Sequence, residues 1–156
     1  MRVLMVCLGN ICRSPMAEAV LAHLAPDWEV DSAGTGGWHA GERPDHRTLT
    51  ILQRAGLATA HRARQVRPAD FTAFDLILAM DARNLADLAA IRPAGASARL
   101  ARLGEWDPQG VSDVPDPYYD ELPQFAAIYT QIERCCQALV RAEGQPQGRH
   151  ERRAPR

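Results

Sequence analysis

Apolar positions along the chain fall into two patterns, short runs rich in β-branched residues and longer stretches with helical spacing. Arg2 to Val6 (RVLMV) is a run of the first kind, and it stops at a polar, glycine-bearing turn, Cys7 to Ser14. From Pro15 to Ala25 the residues Met16, Ala19, Val20 and Leu24 recur at helical spacing, until Pro26 and Asp27 break the pattern. The opening segment therefore predicts strand, loop, helix. Ser14 is a suitable N-cap, and Pro15 suits the first helical position, where a backbone N–H would be unpaired anyway.

Trp28 to Ala33 predicts a second strand, followed by the flexible Gly34-Thr35-Gly36-Gly37, which carries an exposed Trp38 and His39 toward Pro44. Asp45 is placed to cap a helix running to Ala55 and ending at Gly56. Phe74 to Met80 (FDLILAM) reads as a strand buried on both faces, Asn84 to Ile91 as a short helix, and Ser97 to Leu103 as a fourth strand. A loop with three prolines and six acids, Glu105 to Glu121, precedes a final amphipathic helix from Pro123 to Ala142. Strands alternating with helices imply a single-domain α/β fold: a four-stranded parallel sheet with helices on both faces and right-handed crossovers. The domain is expected over residues 1–143. Residues 144–156, with four Arg and one Glu, read as a basic, disordered tail.

Composition narrows the chemistry. The 156 residues, 46% hydrophobic and 24% charged, are ordinary for one globular domain, and a net charge of -1 provides no field for nucleic acid. All 18 basic residues are Arg, so a Schiff-base lysine and a Walker A site are both excluded. No run reaches the roughly 18 apolar residues of a membrane span, and the apolar start is too short for a signal sequence, so the cytoplasm is the expected location. The four cysteines, at 7, 12, 135 and 136, do not make a disulfide framework; in a reducing compartment they are reactive or buried.

Cys7-Leu8-Gly9-Asn10-Ile11-Cys12-Arg13-Ser14 puts a cysteine where the strand ends and an arginine where the helix begins. Ligands on parallel sheets bind at this end of the strands, and the loop has the makings of a phosphate cradle. Backbone N–H groups in the turn can form an anion nest, the helix N-terminus adds partial positive charge, and Arg13 can bind bidentately. The same field favours a thiolate on Cys7, which Ser14 can hydrogen-bond.

The motif CLGNICRSPMAEAV resembles the low-molecular-weight protein tyrosine phosphatases, whose loop reads C-x5-R-S before a helix. The resemblance extends through DSAGT at Asp31 to Thr35, Trp38, TAHRARQ at Thr59 to Gln65 and DPYY at Asp116 to Tyr119. It implies a metal-free, cofactor-free hydrolysis of phosphotyrosine in proteins through a phosphocysteine on Cys7. Arg13 and the loop from Leu8 through Gly9, Asn10, Ile11 and Cys12 to Ser14 would hold the phosphate.

A phenolate leaves only if a proton is donated to it, and the proline-framed Asp116 matches the family's general acid and, later, its general base. By composition alone Asp113, Asp120 and Glu121 are alternatives. The resemblance further implies Tyr118 and Tyr119 as one wall of the cleft, Trp38 opposite and Leu8 at the floor, and Asn10, Ser32 and His61 as supports of the loop. Asp81 is either structural or near the cleft. Cys12 is either an inert apolar filler or, as the family implies, a partner that protects Cys7 from irreversible oxidation through a reversible disulfide. Cys135 and Cys136, adjacent on a helix, are expected as one core and one surface thiol.

Two activities of similar folds compete. Thioredoxin-linked arsenate reductases relay a disulfide through mid-chain cysteines, and none lies between Cys12 and Cys135. Protein arginine phosphatases tend to carry threonine at the position of Ile11, whose apolar side chain argues for aryl phosphate. A non-catalytic phosphate-binding module would not need Cys7, Arg13 and Asp116 together. The expected partners are phosphotyrosine proteins, with neither nucleic acid nor membrane insertion, and a monomer is the simplest assembly.

Overall fold

The computed structural model describes residues 1–144, and apart from Gly144 the tail expected over 144–156 lies outside the described residues. Strands β1 (Arg2–Cys7), β2 (Glu29–Gly34), β3 (Leu76–Ala79) and β4 (Arg99–Arg102) form one sheet in the order β2-β1-β3-β4. Every pairing is parallel, with Val3 opposite Val30 on one side and Leu76 on the other. Parallel strands need crossovers, and these are helices α1 (Arg13–Leu24), α2 (His46–Arg54), α3 (Asp70–Ala73) and α4 (Ala82–Ile91), with α5 (Leu122–Glu143) closing the chain.

Apart from the exposed Arg2 that opens β1, the central strands are apolar because both their faces are covered. Successive side chains of β1 alternate between two cores. Val3 and Met5 pack with Met16, Val20 and Leu21 of α1 and Phe125, Ile128 and Ile132 of α5. Leu4 and Val6 pack on the other side with Phe71, Ile77 and Leu88. From β1 the chain winds outward to β2, then returns across β1 to β3. The strand order thus reverses between β1 and β3, and the crevice at their carboxyl ends is where ligands bind on such sheets.

Element ends differ from the sequence reading in instructive places. The first helix starts at Arg13, with Cys12 at the N-cap and no side-chain cap, so Ser14 lies inside the first turn and Pro15 follows it. Ser14 does not cap because its hydroxyl is drawn to Asn10 and Cys7. The single-turn α3 was not foreseen; four residues carry too little periodicity to register. Cys135 and Cys136 are both fully buried, which corrects the expectation of a surface thiol. Helix α5 packs against α1 and against the 3-10 turn Leu103–Trp106, so two adjacent positions can be covered at once. Burial pushes the Cys135 thiol up to about 11 and Cys136 higher still.

The loop leading to Asp116 is fastened to α5. The Asp107 carboxylate accepts from Arg134 Nε and Nη2 at 3.0 Å each and from Ser112 Oγ at 2.8 Å, while Gln131 Nε2 donates to the Asp113 carbonyl. The Arg134 hydrogen bonds hold the Asp107 carboxyl down to about 2, against an ordinary 3.8. A carboxyl with a depressed folded-state pKa stabilises above its unfolded value and loses that contribution as pH falls through the folded one. Asp107→Asn is therefore expected to lower stability by about 2 kcal/mol at neutral pH, with the gap to wild type closing between about pH 4 and pH 2. Urea denaturation across that range measures it.

Candidate active site

At the carboxyl end of β1 the chain turns through Leu8–Cys12 around a cavity of about 290 Å³. Cys7, Leu8, Gly9, Ile11, Cys12 and Arg13 form its base, and Trp38, His39, Asp116, Tyr118 and Tyr119 stand around its mouth. Nine residues expected at the site from the sequence line this one cavity: Cys7, Leu8, Gly9, Ile11, Cys12, Arg13, Trp38, Tyr118 and Tyr119, and Asp116 makes a tenth. Asn10, Ser14, Ser32 and His61 do not line it. They lie buried behind the loop.

That buried layer fixes the loop's shape. Asn10 takes φ 57°, the left-handed region that asparagine tolerates better than other side chains bearing a Cβ. Its Nδ2 donates to Ser14 Oγ at 2.8 Å and Ser32 Oγ at 2.9 Å, and its Oδ1 accepts from Arg64 N at 3.0 Å. His61 donates Nε2–H to the Asn10 carbonyl at 3.2 Å and turns Nδ1 toward Glu18 at 3.2 Å. Gly34 lets β2 come against this layer, since a Cβ there would meet the Leu8 carbonyl oxygen at 2.7 Å and Asn10 Cβ at 3.2 Å.

The hydrogens in this network can be assigned by elimination. Asn10 Nδ2 is donor-only, so Ser14 and Ser32 both accept from it. Ser32 gives its own proton to Glu18 Oε1 at 2.6 Å. Ser14 Oγ, 3.0 Å from Cys7 Sγ, then has one proton left, and among the described residues the sulfur is placed to receive it. Asn10 N–H also points at Sγ, 3.2 Å away. Every group is satisfied when the sulfur accepts from both, which is the arrangement a thiolate requires. Cys12 contrasts with it. Burial, with Asp45 adding to the effect, pushes its thiol above the ordinary range.

Arg13 is buried, with its guanidinium held from the side. Nη1 donates to Asp81 Oδ2 at 2.6 Å and to the Val114 carbonyl at 2.9 Å, while Nη2 lies 3.7 Å from Asp116 Oδ2. Asp81 therefore orients Arg13 from the end of β3 while capping α4 through Asn84 N. Asp116 is exposed at the cavity, and its Oδ1 accepts from Tyr118 N at 3.1 Å. Asp113 is turned away to Arg102, and Asp120 and Glu121 do not line the cavity. Tyr118 and Tyr119 pack edge-on with ring centroids 5.0 Å apart. Arg47 holds this segment by donating to the carbonyls of Tyr118 and Asp120, its own guanidinium braced by Asp45 and stacked 4.4 Å over Phe125.

Three contributors were not singled out from the sequence. His39 lines the cavity and pairs with Glu42; Glu18 anchors Ser32 and His61; Arg47 carries the tyrosine segment. Only Glu18 left a trace, four residues after Ser14 on the same helical face. Glu18, Asp31 and His61 bring metal-ligand atoms within 4.8 Å of one another. Each is already engaged, Asp31 by Arg64 and by Ser32 N, so the group is an ion-pair network supporting the loop.

The family model described as low molecular weight phosphotyrosine protein phosphatase matches residues 2–148. A Sus scrofa protein of that name is 44% identical over 146 residues, covering 88% of this chain and 92% of the relative. The crystal structure of Primo-1 superposes with a TM-score of 0.88 at 41% identity, covering 92% of this chain and 99% of the other. That of DARP, a Drosophila arginine phosphatase, gives 0.87 at 36% identity, covering 94% and 100%.

The network predicts separable effects at Asn10. Asn10→Ala loses three buried side-chain hydrogen bonds and strains the left-handed backbone, and is expected to cost about 2–4 kcal/mol. Asn10→Gly relieves the strain alone and should recover about 1 kcal/mol of that. Chemical denaturation of both variants separates the two terms; full recovery with glycine would show that the side-chain bonds contribute nothing.

Proposed function

The chain belongs to the low-molecular-weight phosphotyrosine protein phosphatases, and from that premise we propose how its own residues carry out the hydrolysis. The observation that carries the reading is the convergence of Ser14 Oγ and Asn10 N–H on the Cys7 sulfur, beneath Arg13 and Asp116. The Cys7 thiolate attacks phosphorus as the bond to the aryl oxygen breaks, and Asp116 gives that oxygen its proton. A water then attacks the phosphocysteine, Asp116 takes back a proton, and the S–P bond breaks to release inorganic phosphate and restore the thiolate. Arg13 and the amides of the loop residues that line the cavity bind the equatorial oxygens in both steps, where charge develops.

Phosphotyrosine proteins are the substrates that this reading assigns. Tyr118, Tyr119 and Trp38 supply aromatic walls for a phenyl ring, and Leu8 and Ile11 make the base apolar. Ile11 supports aryl phosphate over phosphoarginine, the substrate class suggested by the Drosophila neighbour. Asn10, Ser32 and His61 act as positioning residues. Among the described residues no helix is long and apolar enough to cross a membrane. We assign the protein to the cytoplasm, where two cysteines that face a solvent-open cavity stay reduced. There Cys12 protects Cys7 by trapping its sulfenic acid as a disulfide that reductant reopens.

Two experiments test this reading. Cys7→Ser should abolish metal-free hydrolysis of p-nitrophenyl phosphate and phosphotyrosine. Asp116→Ala should remain folded and lose about 10²–10⁴-fold in turnover, with the larger loss on phenyl phosphate, whose leaving group needs the proton most. Equal losses on both esters would remove Asp116 from the acid role, and faster hydrolysis of phosphoarginine than of phosphotyrosine would reassign the substrate. In the second experiment, wild type treated with peroxide should regain activity on addition of dithiothreitol, and Cys12→Ser should not.

A further inference from the structure

Beside the catalytic cavity runs a second groove of about 380 Å³, lined by Leu8, Thr35, Gly36 and Trp38 on one side and by Arg83, Asp87, Ala90 and Ile91 on the other. The two hollows adjoin, with Leu8 and Trp38 lining both. The far wall is a single stripe of α4: positions 83, 87, 90 and 91 fall on one helical face, while Asn84 and Leu88 on another are buried.

The distribution of exposed apolar side chains points to a ligand that uses both. Among the described residues seven large apolar side chains are exposed, and five of them border the two hollows: Leu8, Trp38, Tyr118, Tyr119 and Ile91. Trp38 is 73% exposed and Ile91 49%, and the catalytic cavity alone gives Ile91 no role. Contiguous exposed apolar surface of this kind marks a binding face.

We propose that this groove is a specificity subsite for the phosphotyrosine-bearing protein itself, seating an aliphatic side chain that neighbours the phosphotyrosine in the same peptide. The inference rests on the phosphatase reading above and adds a determinant to it. With the phosphate on Arg13 and the aryl ring between Trp38 and the tyrosines, the peptide crosses Leu8 and Trp38 to reach α4. A leucine or isoleucine there is covered by Trp38, Leu8, Ala90 and Ile91. Free phosphotyrosine and p-nitrophenyl phosphate stop short of the groove and gain nothing from it.

The test is a set of phosphotyrosine peptides, otherwise glycine and serine, with one leucine walked through the positions on either side of the phosphotyrosine. Wild type should favour leucine at one flanking position by about tenfold in kcat/KM, the scale of a small apolar pocket's discrimination. Ala90→Arg, which fills the groove from an exposed helical position, should erase that preference while hydrolysing free phosphotyrosine at the wild-type rate. Ile91→Ser, which only shortens an exposed side chain, should weaken it. No preferred leucine position in wild type, or a preference unchanged in both variants, overturns the subsite. Failure of wild type to hydrolyse free phosphotyrosine would instead strike at the phosphatase reading, so the two failures are distinguishable.

Discussion

A sulfur at the end of a buried strand can be kept as an acceptor only if donors are aimed at it and denied other partners. In this chain the aiming is done by a relay rather than by a single contact. Glu18 takes the Ser32 proton, Ser32 and Ser14 take the two protons of Asn10 Nδ2, and among the described residues Ser14 is left with the sulfur as its outlet. Removing any upstream member frees a hydroxyl to turn away. The left-handed Asn10 is the hinge of the relay, because its backbone N–H also points at Cys7 and its carbonyl is held by His61.

The other half of the site is joined to the first through Arg13. The guanidinium ties β3 to the acid loop by way of Asp81 and the Val114 carbonyl, and that loop is fastened to α5 through Asp107 and Arg134. On the opposite side, Arg47 draws the tyrosine segment toward α2. Cys7 and Arg13, from one loop, and Asp116, from another, are thus set around one cavity by ion pairs and hydrogen bonds to neighbouring elements. Such bonds fix geometry, which is what a reaction governed by positioning and electrostatics demands.

Much of this was legible in the sequence. Strand β1 and the four-stranded order of elements announced themselves as apolar runs between helical stretches, and the loop by a cysteine and an arginine bracketing a glycine turn. The helix start was misjudged because Ser14 has the chemistry of a cap, and only the folded structure shows that its hydroxyl is claimed by Asn10 and Cys7. Periodicity says which face of a helix is covered only when one partner covers it; Cys135 and Cys136 are both buried because two partners pack on α5. Arg47 and His39 leave no local pattern, because Arg47 holds a carbonyl 73 positions away and the His39 ring meets Tyr118 across the cavity.

The central claim is that one named sulfur carries the phosphoryl group. Rapid acid quench of the protein during turnover of an aryl phosphate, followed by digestion and mass mapping of the modified peptide, tests it most directly. The account predicts a single added phosphoryl group, on Cys7, that disappears when substrate is exhausted. A phosphoryl group on Cys12 or on a histidine, or turnover with no covalent adduct under quench conditions that preserve thiophosphate esters, would contradict it.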